Sequence, residues 1–192
     1  MDKIYKKAFT LIELLAIVVV ISIFTIIFFI DYGKDSKVFA LERASRKVAQ
    51  DLRRTQEMAA SGLAGEVGVK GYGIYFDQAS TPVDKRLEYI LYNNINSVSS
   101  ADMPYANPPD TPEIIPISEP GIMICDIKYG PVDNMTSTNN VSVSFLPPDP
   151  INYIQDNRIG YETSITLCVI TNTNQKRTIN INNTGRIEIT NP

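Results

Sequence analysis

The chain has 192 residues, 44% hydrophobic and 20% charged, with 18 basic against 21 acidic side chains and a formal net charge of −3. These values fit one globular domain of ordinary composition plus one short extra element, and exclude collagen-like, repeat-array and wholly disordered chains. Histidine is absent, which removes Ser/His/Asp and Cys/His nucleophile systems and histidine-based zinc sites. The acidic balance supplies no general pull toward nucleic acid, and two cysteines are too few for a disulfide-rich scaffold or a four-cysteine metal site.

The first element is the most informative. From Leu14 to Ile30 run 17 residues without a charge, Gly or Pro, which as a helix covers roughly 26 Å at ~1.5 Å per residue, close to the thickness of a bilayer core. Adding Phe9 to Glu13 gives a membrane-length segment over residues 9–30 with one carboxylate near its start. Lys3, Lys6 and Lys7 precede it against the single Asp2, so the positive-inside bias keeps the N-terminus cytoplasmic and exports everything after Asp31. The apolar run is longer than the core of a cleaved secretory signal, and Asp31-Tyr32-Gly33-Lys34-Asp35 offers no small-x-small cleavage site. A plain signal anchor would explain the hydropathy.

Hydropathy does not explain Glu13, since a carboxylate at the edge of a membrane helix is costly and needs a partner. Lys6-Lys7-Ala8 followed by Phe9-Thr10-Leu11-Ile12-Glu13-Leu14-Leu15 resembles the processing site of type IV prepilins and type II secretion pseudopilins. The resemblance implies a cytoplasmic leader over residues 1–8, cut by a prepilin peptidase between Ala8 and Phe9, and N-methylation of Phe9 as the new N-terminus. It also implies that Glu13 pairs with the N-terminal amine of a neighbouring subunit and so sets the register between helices during filament assembly. A buried amine-carboxylate pair can select register where apolar helices in lipid gain little from hydrophobicity alone. The first-turn position of Glu13 also allows a plainer role against the helix dipole. The family usually has Gly before the cut where this chain has Ala8, which predicts slower processing. Removal of residues 1–8 takes away three lysines and one aspartate and moves the balance from −3 to −5.

Residues 36–60 continue as an amphipathic helix: Val38, Leu41, Ser45, Val48, Leu52, Thr55 and Ala59 recur at three- and four-residue steps. The other faces carry Glu42, Arg43, Arg46, Lys47, Asp51, Arg53, Arg54 and Glu57, a solvated and salt-bridged face or a phosphate-binding one. Ser61-Gly62 is a stop signal. Together these segments predict one long helix, kinked or interrupted near Gly33, whose second half spans residues 31–62.

After Gly62 the texture changes to short β-type runs, giving an exported β-rich head over residues 63–192. The expected strands are Gly71 to Phe76, Leu87 to Tyr92, Ile122 to Tyr129, Val141 to Leu146, Glu162 to Thr171, Lys176 to Asn182 and Arg186 to Thr190. Asn172-Thr173-Asn174 and Asn183-Thr184-Gly185 read as hairpin turns, hence an antiparallel meander at the C-terminal end. Ser97 to Pro112 and Pro147 to Gly160 are breaker-rich loops, open to partners or plain surface. The fold class is therefore α+β and, through the resemblance, pilin-like: a long N-terminal helix, apolar in its first half, packed on an antiparallel β-sheet head.

The resemblance extends more weakly into the head, where Ala49-Gln50-Asp51-Leu52-Arg53-Arg54-Thr55, Val143-Ser144-Phe145 and Thr184-Gly185-Arg186-Ile187 look like the GspH/FimT-like minor pilins. Some DNA-uptake members of that group carry Gly-Arg-x-Arg near the C-terminus. Here Gly185-Arg186-Ile187-Glu188 puts a like charge beside any phosphate, which leaves Lys176, Arg177 and Arg186 as a weak patch and makes nucleic acid an unexpected partner. Cys125 and Cys168 each lie within an apolar strand. On the exported side they can form a disulfide, worth ~3 to 4 kcal/mol for a loop of that length, or stay as two buried thiols. Asp126, Asp133 and Asn134 lack regular calcium-ligand spacing.

No cofactor, metal site or catalytic constellation is expected, and without histidine no enzyme chemistry stands out. The expected function is structural: a minor pilin or pseudopilin of a type IV pilus or type II secretion-like filament. Its expected partners are other subunits, the peptidase and membrane lipid before assembly. It would be a single-pass inner-membrane protein first and part of a periplasmic or extracellular filament afterwards. The alternative is a DNA-uptake minor pilin that binds DNA through its head.

Overall fold

The computed structural model describes residues 10–61, 71–78, 86–93, 113–146, 151–154 and 160–191, with the backbone alone for 28–35 and 151–153. Helix α1, Leu11–Ala60, runs without interruption through Gly33, so of the kink or interruption expected there the interruption is not found. One glycine costs about 1 kcal/mol relative to Ala in a helix interior, too little to end a helix of this length when no proline accompanies it. The chain divides into two compact units, Met1–Val38 and Phe39–Pro192.

In the first unit the apolar side chains from Leu11 to Ile27 are all exposed, from 83% at Leu11 to 47% at Ile17. No stripe is favoured because the sequence is apolar on every face.

Among its described residues the second unit holds the rest of α1 and ten strands. They are β1 Tyr72–Asp77, β2 Glu88–Asn93, β3 Glu113–Pro116, β4 Ile122–Gly130, β5 Thr136–Thr138, β6 Asn140–Leu146, β7 Ile151–Ile154, β8 Glu162–Val169, β9 Asn172–Ile181 and β10 Ile187–Thr190. They form two five-stranded sheets, ordered β3-β2-β1-β6-β7 and β10-β9-β8-β4-β5, with every pairing antiparallel. The α+β class with a long helix packed on an antiparallel β-sheet head is thus the one found, with the head built as two sheets. The expected C-terminal meander is present as β8-β9-β10.

Both sheets alternate apolar-in with polar-out, and the inward sets meet the helix stripe in one core. Leu41, Val48, Leu52 and Ala59 of α1 join Ile74 and Phe76 of β1, Tyr89 of β2, Val141, Val143 and Phe145 of β6, Ile165 and Leu167 of β8, and Ile179 and Ile181 of β9. Each such aliphatic or aromatic side chain contributes ~1.5 to 3 kcal/mol relative to leaving it exposed. Helix contacts reach both sheets. Tyr89 on β2 donates to Asp51, while Arg53 and Gln56 donate to the carbonyl oxygens of Ile187 and Gly185 at 3.2 and 3.3 Å.

Two local devices make the pattern work. A register shift in the β4–β8 pairing between Ile124 and Asp126 leaves Cys125 as an extra residue. Side-chain parity on β4 flips there, so Ile127 instead of Asp126 follows Ile124 into the core. On β1, Gly73 lies beneath the Tyr92 ring, which a Cβ at this position would strike. The ring crosses β1 so that the Tyr92 hydroxyl meets Ser142 Oγ and Ser144 Oγ on β6, the latter at 2.6 Å.

The turn between β8 and β9 is a correction. It falls at Ile170-Thr171, with Val169 paired to Asn172, and the expected turn residues Asn172-Thr173-Asn174 lie inside β9. Ile170 donates its N–H to Gly121 O at 2.8 Å, which fixes the reversal early, and the register shift after Cys168 absorbs the extra residues. The β9–β10 turn falls where expected. Asn182 Oδ1 accepts from Thr184 N, Thr184 Oγ1 and Arg186 N at 3.1, 2.8 and 2.8 Å, and Gly185 takes the positive φ of 80° that favours glycine.

Candidate functional site

The candidate site begins at the start of α1. Ala8 and Phe9, the expected cleavage and methylation residues, lie outside the described residues. Glu13 is described and occupies the third position of a capping box. Thr10 N and Thr10 Oγ1 donate to Glu13 Oε2 at 3.2 and 3.1 Å, and Glu13 N donates back to Thr10 Oγ1 at 3.3 Å. Thr10 O then accepts the first intrahelical bond, from Leu14 N at 3.2 Å. The spacing Thr-x-x-Glu before an apolar run is a readable helix-start signal, and it places the carboxylate at the positive end of the helix dipole.

Farther along, the two hydroxyls in the apolar run are satisfied within the helix. Ser22 Oγ donates to Val18 O and Thr25 Oγ1 to Ile21 O, both at 2.8 Å, so neither needs water or a partner side chain. Among the described residues no helix is long and apolar enough to cross a membrane. The part of the apolar run whose side chains are described ends at Ile27, and Phe28, Phe29 and Ile30 lie beyond it.

In the second half of α1 the expected apolar stripe is buried from Leu41 onward, where Leu41, Ser45, Val48, Leu52, Thr55 and Ala59 are at 1% exposure or less, while Val38 is only part-buried. The basic face is largely neutralised by its own chain. Arg43 grips Glu119 through two hydrogen bonds at 2.7 and 2.9 Å, and this holds the Glu119 carboxyl below the usual carboxylate range. Arg46 pairs with Glu42 at 2.8 Å and, by its hydrogen bond first, lowers the Glu42 carboxyl likewise.

Asp51 departs from expectation. The sequence pattern puts it on the solvated face, whereas the structure buries it to 3% exposure. There it accepts from Tyr89 Oη and pairs with Lys47 Nζ at 2.8 Å. Burial first, then the Asp51 hydrogen bond, pushes the Tyr89 phenol well above its ordinary value. Helical periodicity places Asp51 at the margin of the stripe, and only the position of β2 determines that a phenol meets it there.

The residues considered for DNA contact do not converge. Arg177 reaches back to Glu42 at 3.6 Å, Arg186 pairs with Glu188 at 2.5 Å, and Lys176 is exposed in the middle of β9, away from the turn that carries Arg186. Cys125 and Cys168 do come together, as a disulfide between β4 and β8 with Cα atoms 5.9 Å apart. Asp126 faces Lys128 at 3.5 Å. Among the described residues no group of three or more His, Cys, Asp or Glu side chains could hold a metal ion.

No family model matches the chain, and no curated protein does. Among solved structures it is similar to the type IV minor pilin FimU of Pseudomonas aeruginosa strain PAO1 in two crystal forms. The P21 form gives a TM-score of 0.45 at 14% identity, covering 79% of this chain and 88% of that one. The P65 form gives 0.42 at 14% identity, with 79% and 93% covered. Likeness at this level leaves the function to the chain's own residues.

Proposed function

We propose that this chain is a pilin-like subunit, processed at its N-terminus and built into a type IV pilus or secretion-like filament through the first half of α1, most simply as a minor component. The observation that carries the reading is the combination at the start of α1. A prepilin-like Lys6-Lys7-Ala8/Phe9-Thr10 sequence leads directly into a helix whose first turn holds Glu13 and whose next turns expose apolar side chains on every side. A helix of that kind has no stable place in water, and lipid followed by neighbouring helices gives it one. The polar groups along it fit the same environment, since the hydroxyls of Ser22 and Thr25 bond within the helix.

In this reading residues 1–8 are a cytoplasmic leader, residues 9–30 sit in the inner membrane and later in the filament core, and the head is exported. Peptidase cleavage creates the Phe9 amine. Glu13 then exchanges or shares its local cap with the amine of a neighbour, which ties one helix's register to the next. The test is the intact mass of the protein purified from membranes of cells that contain a prepilin peptidase. Loss of residues 1–8 plus one methyl group supports the reading, and an uncleaved, unmethylated chain overturns it.

A further inference from the structure

The two sulfurs of the disulfide are in different surroundings. Cys168 lies on β8 between the inward-facing Leu167 and Val169, on the opposite face of the strand, yet its exposure is 0%. Cys125 is the extra residue of the β4 bulge and is partly exposed. In the register of the two strands the residue directly opposite Cys168 is Met123, not Cys125. The bulge is therefore what brings the second sulfur diagonally within reach, and it does so on the more open strand.

Thiol-disulfide exchange needs in-line access to one sulfur only. We propose that Cys125 is the exchange site of this chain, the sulfur that forms the mixed disulfide with an external disulfide-carrying oxidant, and that Cys168 is the internal resolving thiol. In the first step the Cys125 thiolate attacks one sulfur of the oxidant's disulfide. The Cys125–oxidant bond forms, the oxidant's own S–S bond breaks, and its second sulfur leaves as a thiolate that takes up a proton. In the second step the Cys168 thiolate attacks Cys125 Sγ, forming the internal bond and expelling the oxidant's first sulfur, which is protonated in turn. Two chain thiols give up two electrons and two protons, and the oxidant ends as a dithiol. Reduction runs the same path backwards, with the incoming thiolate on Cys125 and Cys168 as leaving group.

The class of reaction that must act on this chain is thus a thiol-disulfide exchange that can take place after β4 and β8 have paired. The inference goes beyond the filament reading and does not need it, since it concerns the folded head alone.

The test uses the full chain and glutathione disulfide as the probe. The folded Cys168→Ser variant should acquire one glutathione on Cys125. The Cys125→Ser variant should acquire none on Cys168 at least tenfold longer, until urea opens the head. The unmodified protein provides a check independent of how the variants fold. It is treated with limiting reduced glutathione under native conditions, quenched in acid and mapped by peptide mass, and the mixed disulfide should be found on Cys125. Glutathione on Cys168, equal labelling of both sulfurs, or a bond that exchanges only after unfolding would overturn the proposal.

Discussion

The two halves of α1 share one secondary structure and differ in what covers them. From Leu11 to Ile27 the helix is apolar all round and exposed all round, whereas from Ala40 to Ala59 a single stripe of small and aliphatic residues is buried against two sheets. The contrast separates two uses of hydrophobicity. A one-sided stripe is matched by a core that the same chain supplies, and an all-round apolar surface asks for a medium or for neighbours that the chain does not supply. The polar groups follow the same division. In the first half they are satisfied within the helix, at Glu13, Ser22 and Thr25. In the second half some are also satisfied within the helix, as in the Arg46–Glu42 pair, but others reach other elements, as Asp51 reaches Tyr89 and Arg43 reaches Glu119.

The largest expected effect follows from this contrast. Leu52 is at 0% exposure in the core, and Leu52→Ala should destabilise the second unit by ~2 to 5 kcal/mol. Leu15→Ala, a change of the same chemistry at a residue 53% exposed, should leave the unfolding midpoint of that unit where it was. Denaturant melts of both variants would show it, and equal losses would break the division between the halves.

Asp51→Ala comes next. It leaves the buried Tyr89 hydroxyl without its acceptor and should cost ~1 to 3 kcal/mol, again read by denaturant unfolding. Pairing it with Tyr89→Phe should recover part of the loss, because no orphaned hydroxyl then remains.

Thr10→Ala removes one side of the capping box and should cost the start of the helix ~1 kcal/mol. Amide exchange in the first turn would report it, with no change in the head.

The smallest effects are electrostatic. The Glu119 and Glu42 carboxyls are held below their ordinary values by Arg43 and Arg46. Their contribution is therefore present at neutral pH and fades as pH falls through those depressed values, since protonation removes the paired anion. Glu119→Gln should flatten the acid limb of the stability profile slightly and change nothing near neutral beyond the loss of one surface pair. At the other extreme, burial raises both the Tyr89 and Tyr92 phenols. The native head should then hold these protons where an unfolded chain releases them, and lose stability as pH rises past about 10, the ordinary tyrosine value. Tyrosinate absorbance during an alkaline titration would check this.

The helix was legible in the sequence because its signals are local. The run from Leu14 to Ile30 and the spacing of Leu41, Val48, Leu52 and Ala59 need no knowledge of the rest of the chain. The longer strands were legible for the same reason, as in Val141 to Leu146. The missed strands β3, β5 and β7 are all sheet edges of three or four residues. They are too short to show a period, and β3 and β5 also carry turn-forming or polar residues, Pro116 and Thr136-Ser137-Thr138, as edges often do. The division into two sheets was hidden because inward residues alternate in the same way whichever sheet they join. Of the candidate residues, the position of Glu13 on the first turn could be read from spacing. The partner of Asp51 depends on β2, more than thirty residues away, and so does not show in local pattern.

In the proposed function the exposed half of α1 is an assembly surface registered by Glu13. The most direct measurement is incorporation of a Glu13→Ala variant into filaments, compared with its retention in the membrane fraction, in cells that hold the rest of the machinery. Normal membrane retention with incorporation lost is the predicted result. Incorporation at the level of the unmodified chain would contradict the account.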